Sequence, residues 1–348
     1  MSGEERDYKS AGVNRQEGYR TVDLISQALA TVREPSGSPR GADSRVPVDG
    51  GLVSGIGGFA SLYELPGNPE TLLAACTDGV GTKIDLSLRY GRLREIGQDC
   101  VAMCLNDLVC HGARPLFFLD YLACEKLEAE KAAEIVAGIA DAAARCGALL
   151  VGGETAEMPG IYREGRYDVA GFAVGIVERR KVIGPEAIRG TEALIGLRSS
   201  GLHSNGFSLL RALVADFEEL WEDISLWRLA TEPTSLYVNE ILTLHNSVGL
   251  SGAAHITGGG LEENLPRILP EGVDAVVRTD RIPEQPVYRF LRTLSVSREE
   301  LFRTFNMGVG MVLALQPEAV EEALELLGEE AFLLGELRTG GRRAVWLE

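Results

Sequence analysis

The sequence predicts a mixed α/β protein of two domains. Three observations predict it. At 348 residues the chain exceeds what one hydrophobic core normally serves. Its apolar content of 45% can fill two. In both halves, short apolar runs that end in glycine-rich turns alternate with stretches of helical periodicity.

In the first half, strands are expected at 71–77, 116–124, 148–151 and 168–177, and helices at 95–112 and 129–146, an order like a split βαβ unit. The first helix follows from Ile96, Cys100, Met103 and Cys104, which recur at three- and four-residue spacing. The second is rich in Ala, Glu and Lys and stops at Gly147. Ser36 to Asp49, rich in Ser, Gly, Pro and charge, reads as a mobile loop leading into the glycine run Gly50 to Gly58. The connector Glu178 to Glu192 holds Arg179, Arg180, Lys181, Gly184, Pro185 and Gly190, which divides the chain into 1–180 and 181–348. In the second half, strands are expected at 193–197, 253–256, 274–278, 309–315 and 332–337, and helices at 206–215, 234–246, 286–294 and 317–327.

A formal charge of −17 and a pI near 4.8 argue against nucleic acid or an anionic membrane as a partner, since both select for basic patches. The six cysteines avoid Cys-x-x-Cys spacing and read as small buried hydrophobes in a reducing compartment. Met1 to Lys9 has no apolar signal core, and no run approaches the length of a membrane span. The expectation is a soluble, cytoplasmic protein.

The most informative stretch is Thr77-Asp78-Gly79-Val80-Gly81-Thr82-Lys83, followed by Asn106-Asp107-Leu108. Asp78 falls at a strand exit. Asp107 shares the apolar helical stripe, four residues after Met103, where an unpaired carboxylate is seldom carried. Something cationic should meet it: a buried Arg or Lys, or Mg²⁺, which needs only one or two carboxylates besides water and phosphate. Ser54-Gly55-Ile56-Gly57-Gly58-Phe59 lacks the order of a Walker A loop or a dinucleotide fingerprint and is either a lid or a structural turn. Gly152 to Gly160 puts Glu154 and Glu157 at a strand end. His203-Ser204-Asn205-Gly206 stands between a strand and a helix, where Ser204 or Asn205 can cap and amides can bind an anion. His255-Ile256-Thr257-Gly258-Gly259-Gly260 repeats that arrangement. His111 and His245 each end a helix and take a structural reading.

Taken in order with Asp7 to Val13, Pro115 to Tyr121 and Asn306 to Met311, these motifs resemble the phosphoribosylformylglycinamidine cyclo-ligase family across nearly the whole chain. The resemblance implies an ATP-dependent enzyme of purine biosynthesis that closes the ring of aminoimidazole ribonucleotide and releases ADP and phosphate. It implies Mg²⁺, with K⁺ as a common helper, and two α/β domains. It further implies a homodimer in which the first sheets of two subunits join into a shared barrel, and transient contact with neighbouring pathway enzymes. By the same resemblance, Asp78 and Asp107 hold metal, Lys83 contacts phosphate, and Gly55, Gly57 and Gly58 close over nucleotide. Gly79, Thr82, Asn106 and Glu154 join that nucleotide site, and Ser204, Asn205 and Gly206 form a second phosphate cradle. His203 and His255 transfer protons or polarise the substrate amide, with a neutral hydrogen-bonding role as the alternative.

The chain departs from the family in its longer loop Ser36 to Asp49, and in a helix Thr21 to Val32 without the lysines often found there. Ser235 and Asn239 occupy a helix that is often more basic in relatives. Rival readings are sister enzymes such as selenophosphate synthetase, thiamine monophosphate kinase or the larger synthetase one step earlier in the pathway, and a silent nucleotide-binding scaffold. The absence of a cysteine before Cys76 speaks against the first of these.

Overall fold

The computed structural model describes residues 11–33, 51–54 and 56–348. The loop expected at 36–49, Gly55 and the start of the chain lie outside the described residues. The first sheet contains β1 (Leu52–Ser54), β2 (Ser61–Leu65), β3 (Asn68–Gly79), β4 (Arg114–Cys124), β5 (Leu149–Glu157) and β6 (Tyr167–Glu178), in the spatial order β1-β2-β3-β6-β4-β5. Its helices are α1 (Arg15–Arg33), α2 (Lys83–Arg89), α3 (Leu93–Val109) and α4 (Ala129–Arg145). Strands β4 and β5 are parallel neighbours joined through α4, while β6 runs antiparallel to both β3 and β4. The sheet is therefore mixed.

Helices α3 and α4 pack on one face of this sheet and cross closely at two glycines. A Cβ on Gly97 would stand 2.3 Å from the Ile135 carbonyl oxygen, and one on Gly138 2.2 Å from that of Arg94. Only glycine allows that approach. Among the described residues, no helix packs on the opposite face. Tyr63, Tyr121, Leu149 and Phe172 stand exposed there, with Leu149 at 71%.

The second sheet has β7 (Ala193–Arg198), β10 (Gly252–His255), β11 (Val273–Val277), β12 (Val309–Leu315), β13 (Ala331–Thr339) and β14 (Val345–Leu347), ordered β10-β12-β7-β13-β11-β14. Every residue of β12 is buried, as its unbroken apolar run requires of a central strand. Around the sheet lie α5 (Phe207–Leu213), α6 (Leu226–Thr231), α7 (Val238–Ser247), α8 (Gly260–Asn264), α9 (Pro286–Thr293), α10 (Arg298–Thr304) and α11 (Val320–Leu327), with a small hairpin of β8 (Leu220–Trp221) and β9 (Ile224–Ser225).

Two helix expectations need correction. The helix expected over 234–246 begins only at Val238, because the backbone of residues 232–237 is bound by side chains of other elements. Ser235 is therefore not helical. The segment at 317–327 opens as a 3₁₀ turn, Pro317–Ala319, before α11.

Candidate active site

Strand β3 alternates, and Leu72, Ala74 and Asp78 share the parity that faces α3. Asp78 Oδ1 accepts from the Gly79 amide at 2.7 Å. Burial, and then the negative charge of Asp107, push its carboxyl up to about 6. The two acids are thus close enough to repel. Asp107 Oδ1 lies 2.8 Å from His255 Nδ1, while His255 Nε2 lies 3.4 Å from Asn106 Nδ2. The hydrogen-bond partner of Asp107 is thus neither Arg nor Lys but an imidazole at the end of β10, and the cation expected for this carboxylate is left to a metal.

A cavity of about 370 Å³ opens beside Asp78, with Asp107, Asn106 and His255 not among the residues that line it. Asp78, Gly79, Gly81 and Thr82 line it from the first domain, and Ser204, Asn205, Gly206, Thr257 and Gly258 from the second. Motifs far apart in sequence therefore share one space. Gly206, with φ of 81°, caps α5 in the left-handed region. Asn205 Nδ2 is buried and has no acceptor among the described residues. Across the junction, Thr82 Oγ1 lies 3.3 Å from Ser208 Oγ, and Arg211 donates to the Thr82 carbonyl at 2.6 Å and to Asp85 at 2.9 Å.

The arrangement suits a metal-bound phosphate. Two repelling carboxylates favour a cation between them, and a buried amide donor without an acceptor favours an anion beside it. No cluster of three or more His, Cys, Asp or Glu ligands forms among the described residues. Such a pair fits Mg²⁺, which takes its remaining ligands from water and phosphate.

Several expected site residues are placed elsewhere. Lys83 is fully buried, its Nζ 2.9 and 2.8 Å from the two Asp99 oxygens and 2.6 Å from the Glu232 carbonyl. Burial lowers its pKa against the opposing pull of Asp99. The ammonium is committed inside the protein and does not reach the cavity. Asn106 is likewise buried, donating to the Ser235 carbonyl at 2.9 Å and accepting from the Tyr237 amide at 3.0 Å, which makes it a bracket rather than a nucleotide contact.

His203 is also interior. Its Nε2 accepts from the Ser200 amide at 3.2 Å and the Ser235 amide at 3.5 Å, and burial holds its pKa well below the usual value. Its Nδ1 is buried and has no partner among the described residues, and the imidazole supports the loop through Nε2. His255 has both nitrogens occupied by Asp107 and Asn106. Glu154 pairs in register with Tyr121, on the uncovered face of the sheet, so within one chain it stands on the opposite side from Asp78. Gly57 and Gly58 do not line the cavity; a Cβ on Gly58 would meet His111 Nε2 at 3.4 Å.

Sequence reasoning passed over Gly81, Thr257 and Gly258 as site residues, although each sits inside a motif it had singled out. It also passed over Asp99. The stripe that exposed Asp107 contains Asp99 too, three residues after Ile96 and four before Met103.

Family models described as AIR synthase related protein match this chain, the N-terminal domain over residues 57–177 and the C-terminal domain over 192–348. A protein of Clostridium perfringens (strain 13 / Type A) named phosphoribosylformylglycinamidine cyclo-ligase is 44% identical over 340 residues, 96% of this chain and 97% of its own. Its namesake in Clostridium tetani (strain Massachusetts / E88) is 41% identical over 341 residues, covering 97% and 98%. Among solved structures, hydrogenase maturation protein HypE in complex with ATP superposes with a TM-score of 0.59 at 21% identity, covering 79% of this chain and 81% of that one.

Proposed function

The chain belongs to the phosphoribosylformylglycinamidine cyclo-ligase family, ligases of purine biosynthesis, and on that premise we propose how its residues serve ring closure. The substrate is formylglycinamidine ribonucleotide and the product aminoimidazole ribonucleotide. ATP transfers its γ-phosphoryl group to the formyl oxygen and leaves as ADP. An internal nitrogen then attacks the activated carbon, the carbon–oxygen bond to phosphate breaks, and the protons released pass to water. No protein nucleophile is required, so catalysis rests on positioning and charge neutralisation.

The observation that carries this reading is the convergence of Asp78-Gly79, Gly81-Thr82, Ser204 to Gly206 and Thr257-Gly258 on one cavity. Asp78 and Asp107 would hold Mg²⁺, which neutralises phosphate charge when bound. His255 donates from Nδ1 to Asp107 and fixes that carboxylate, a positioning rather than a proton-transfer role. The amides around Gly206 and the free donor of Asn205 would take phosphate oxygens. Nucleotide binding is further supported by the likeness to a fold-mate solved with ATP. K⁺ is retained from the family resemblance alone.

A homodimer is part of this proposal. The helix-free face of the first sheet presents Tyr63, Tyr121, Leu149 and Phe172 to solvent, and a contiguous apolar face of this kind marks an interface. Glu154 on the same face would then sit at the junction of two subunits. No helix among the described residues is long and apolar enough to cross a membrane, and we place the enzyme in the cytoplasm with the purine pathway.

The test is substrate-dependent ADP formation, with the aminoimidazole product followed in the same reaction. Equal amounts of the two support the cyclo-ligase mechanism. ADP without ring closure would assign the chain to a sister activity, and no turnover despite ATP binding would reduce it to a scaffold.

A further inference from the structure

Residues 232–237, between α6 and α7, form an extended strap that has no regular structure of its own. Its polar backbone groups are gathered by side chains from both domains. Gln98 donates to the Thr234 carbonyl at 2.8 Å, and Ser200 Oγ to that of Pro233 at 2.5 Å. Pro233, Ser235, Leu236 and Tyr237 line a separate cavity of about 680 Å³ on the outer side of the strap. Thr234 alone turns inward and is fully buried.

The hydrogen-bond direction at Thr234 can be worked out from its partners. Its backbone amide, at 2.8 Å, and its hydroxyl, at 2.6 Å, both donate to Asp99 Oδ1, which also accepts from Lys83. Having given its only hydroxyl proton to a carboxylate, Thr234 Oγ1 can only accept from Ser204 Oγ, 3.2 Å away. The chain therefore runs one way: Ser204 to Thr234 to Asp99. Ser204 lines the catalytic cavity, and with its proton given to Thr234 its hydroxyl keeps only lone pairs for any other partner.

We infer that Asp99 and Thr234 are positioning residues that hold the Ser204 hydroxyl as a hydrogen-bond acceptor for an N–H group of the substrate, rather than as a donor to phosphate. The inference rests on the cyclo-ligase reading, because formylglycinamidine ribonucleotide carries amidine and formamide N–H groups whereas the nucleotide phosphates offer only acceptors. It also explains a buried Lys–Asp pair so near a site that does not use it: Lys83 donates to Asp99 Oδ1 and holds it where it accepts from Thr234, which fixes the direction of the relay.

The test compares the wild type with Thr234→Val, which keeps shape but has no hydroxyl, and with Thr234→Ser, which keeps the hydroxyl. Thr234→Val should raise KM for formylglycinamidine ribonucleotide about tenfold, the scale of one lost hydrogen bond, and leave KM for ATP near the wild-type value. Thr234→Ser should restore the substrate KM. A rise confined to the ATP KM would place Ser204 against phosphate and overturn the inference. So would a Thr234→Val enzyme that melts lower but keeps its substrate KM, or a Thr234→Ser enzyme as impaired as the valine variant. Failure of the wild type itself to form aminoimidazole in the same assay would instead sink the cyclo-ligase reading.

Discussion

Replacing Lys83 by methionine separates a structural lysine from a phosphate-binding one. In the folded protein Lys83 and Asp99 both have no exposed side-chain surface and lie 2.8 Å apart. Removing one partner of such a pair strands the other charge in the interior, which typically costs about 3–5 kcal/mol. Asp99 keeps its two bonds from Thr234, which places the cost near the lower end, about 3 kcal/mol. For a domain of this size that lowers the melting temperature by roughly 6–12 °C. Lys83→Met combined with Asp99→Asn should recover part of that loss, since the neutral amide oxygen can still accept from Thr234. The assay is thermal unfolding of wild type, both single variants and the double, followed by calorimetry with ATP. A Lys83→Met protein that melts with the wild type yet no longer binds ATP would refute the structural assignment and return Lys83 to the phosphates.

Other outcomes follow from the same geometry. Asp107→Asn should raise the Mg²⁺ concentration for half-maximal turnover by at least about tenfold, and an unchanged magnesium titration removes Asp107 from the metal shell. Asp78, pushed up to about 6, binds its proton more tightly folded than unfolded, so its ionisation costs stability as pH rises through that value. Asp78→Asn should therefore melt above the wild type at about pH 7.5, and the gap should close by about pH 4; a gap that persists in acid would show that charge is not its cause. Gly97→Ala forces a Cβ toward the Ile135 carbonyl and should destabilise by about 1–3 kcal/mol, read by denaturant titration. If the proposed dimer forms through this face, Leu149→Glu should give a monomer in light scattering where the wild type gives a dimer, and an unchanged mass would move the interface off this face.

The order of strands and helices was legible where apolar period and turn chemistry agreed. Strand β12, expected at 309–315, spans Val309–Leu315, because an unbroken apolar run bounded by Gly308 and Gln316 has one burial solution. The strap lies where the sequence predicts helix and forms none, because its conformation is set by Gln98, Asp99 and Asn106, all far away in sequence. Asp78, Thr82 and Ser204 to Gly206, singled out in the sequence because small residues, acids and glycines at strand exits have few structural uses, do line one cavity. Lys83 and His203 do not. A lysine or histidine within a motif looks the same whether its polar head faces a ligand or a buried partner, and only the fold decides which.

Helix α3 carries Asp99, Asn106 and Asp107, and each is tied to a different part of the second domain: the strap through Thr234, the start of α7 through Tyr237, and the end of β10 through His255. Interdomain angle and active-site geometry are thus a single degree of freedom. A hinge motion that parted the domains would break all three ties and draw Asp78 away from the Ser204 to Gly206 and Thr257-Gly258 side of the cavity at the same time.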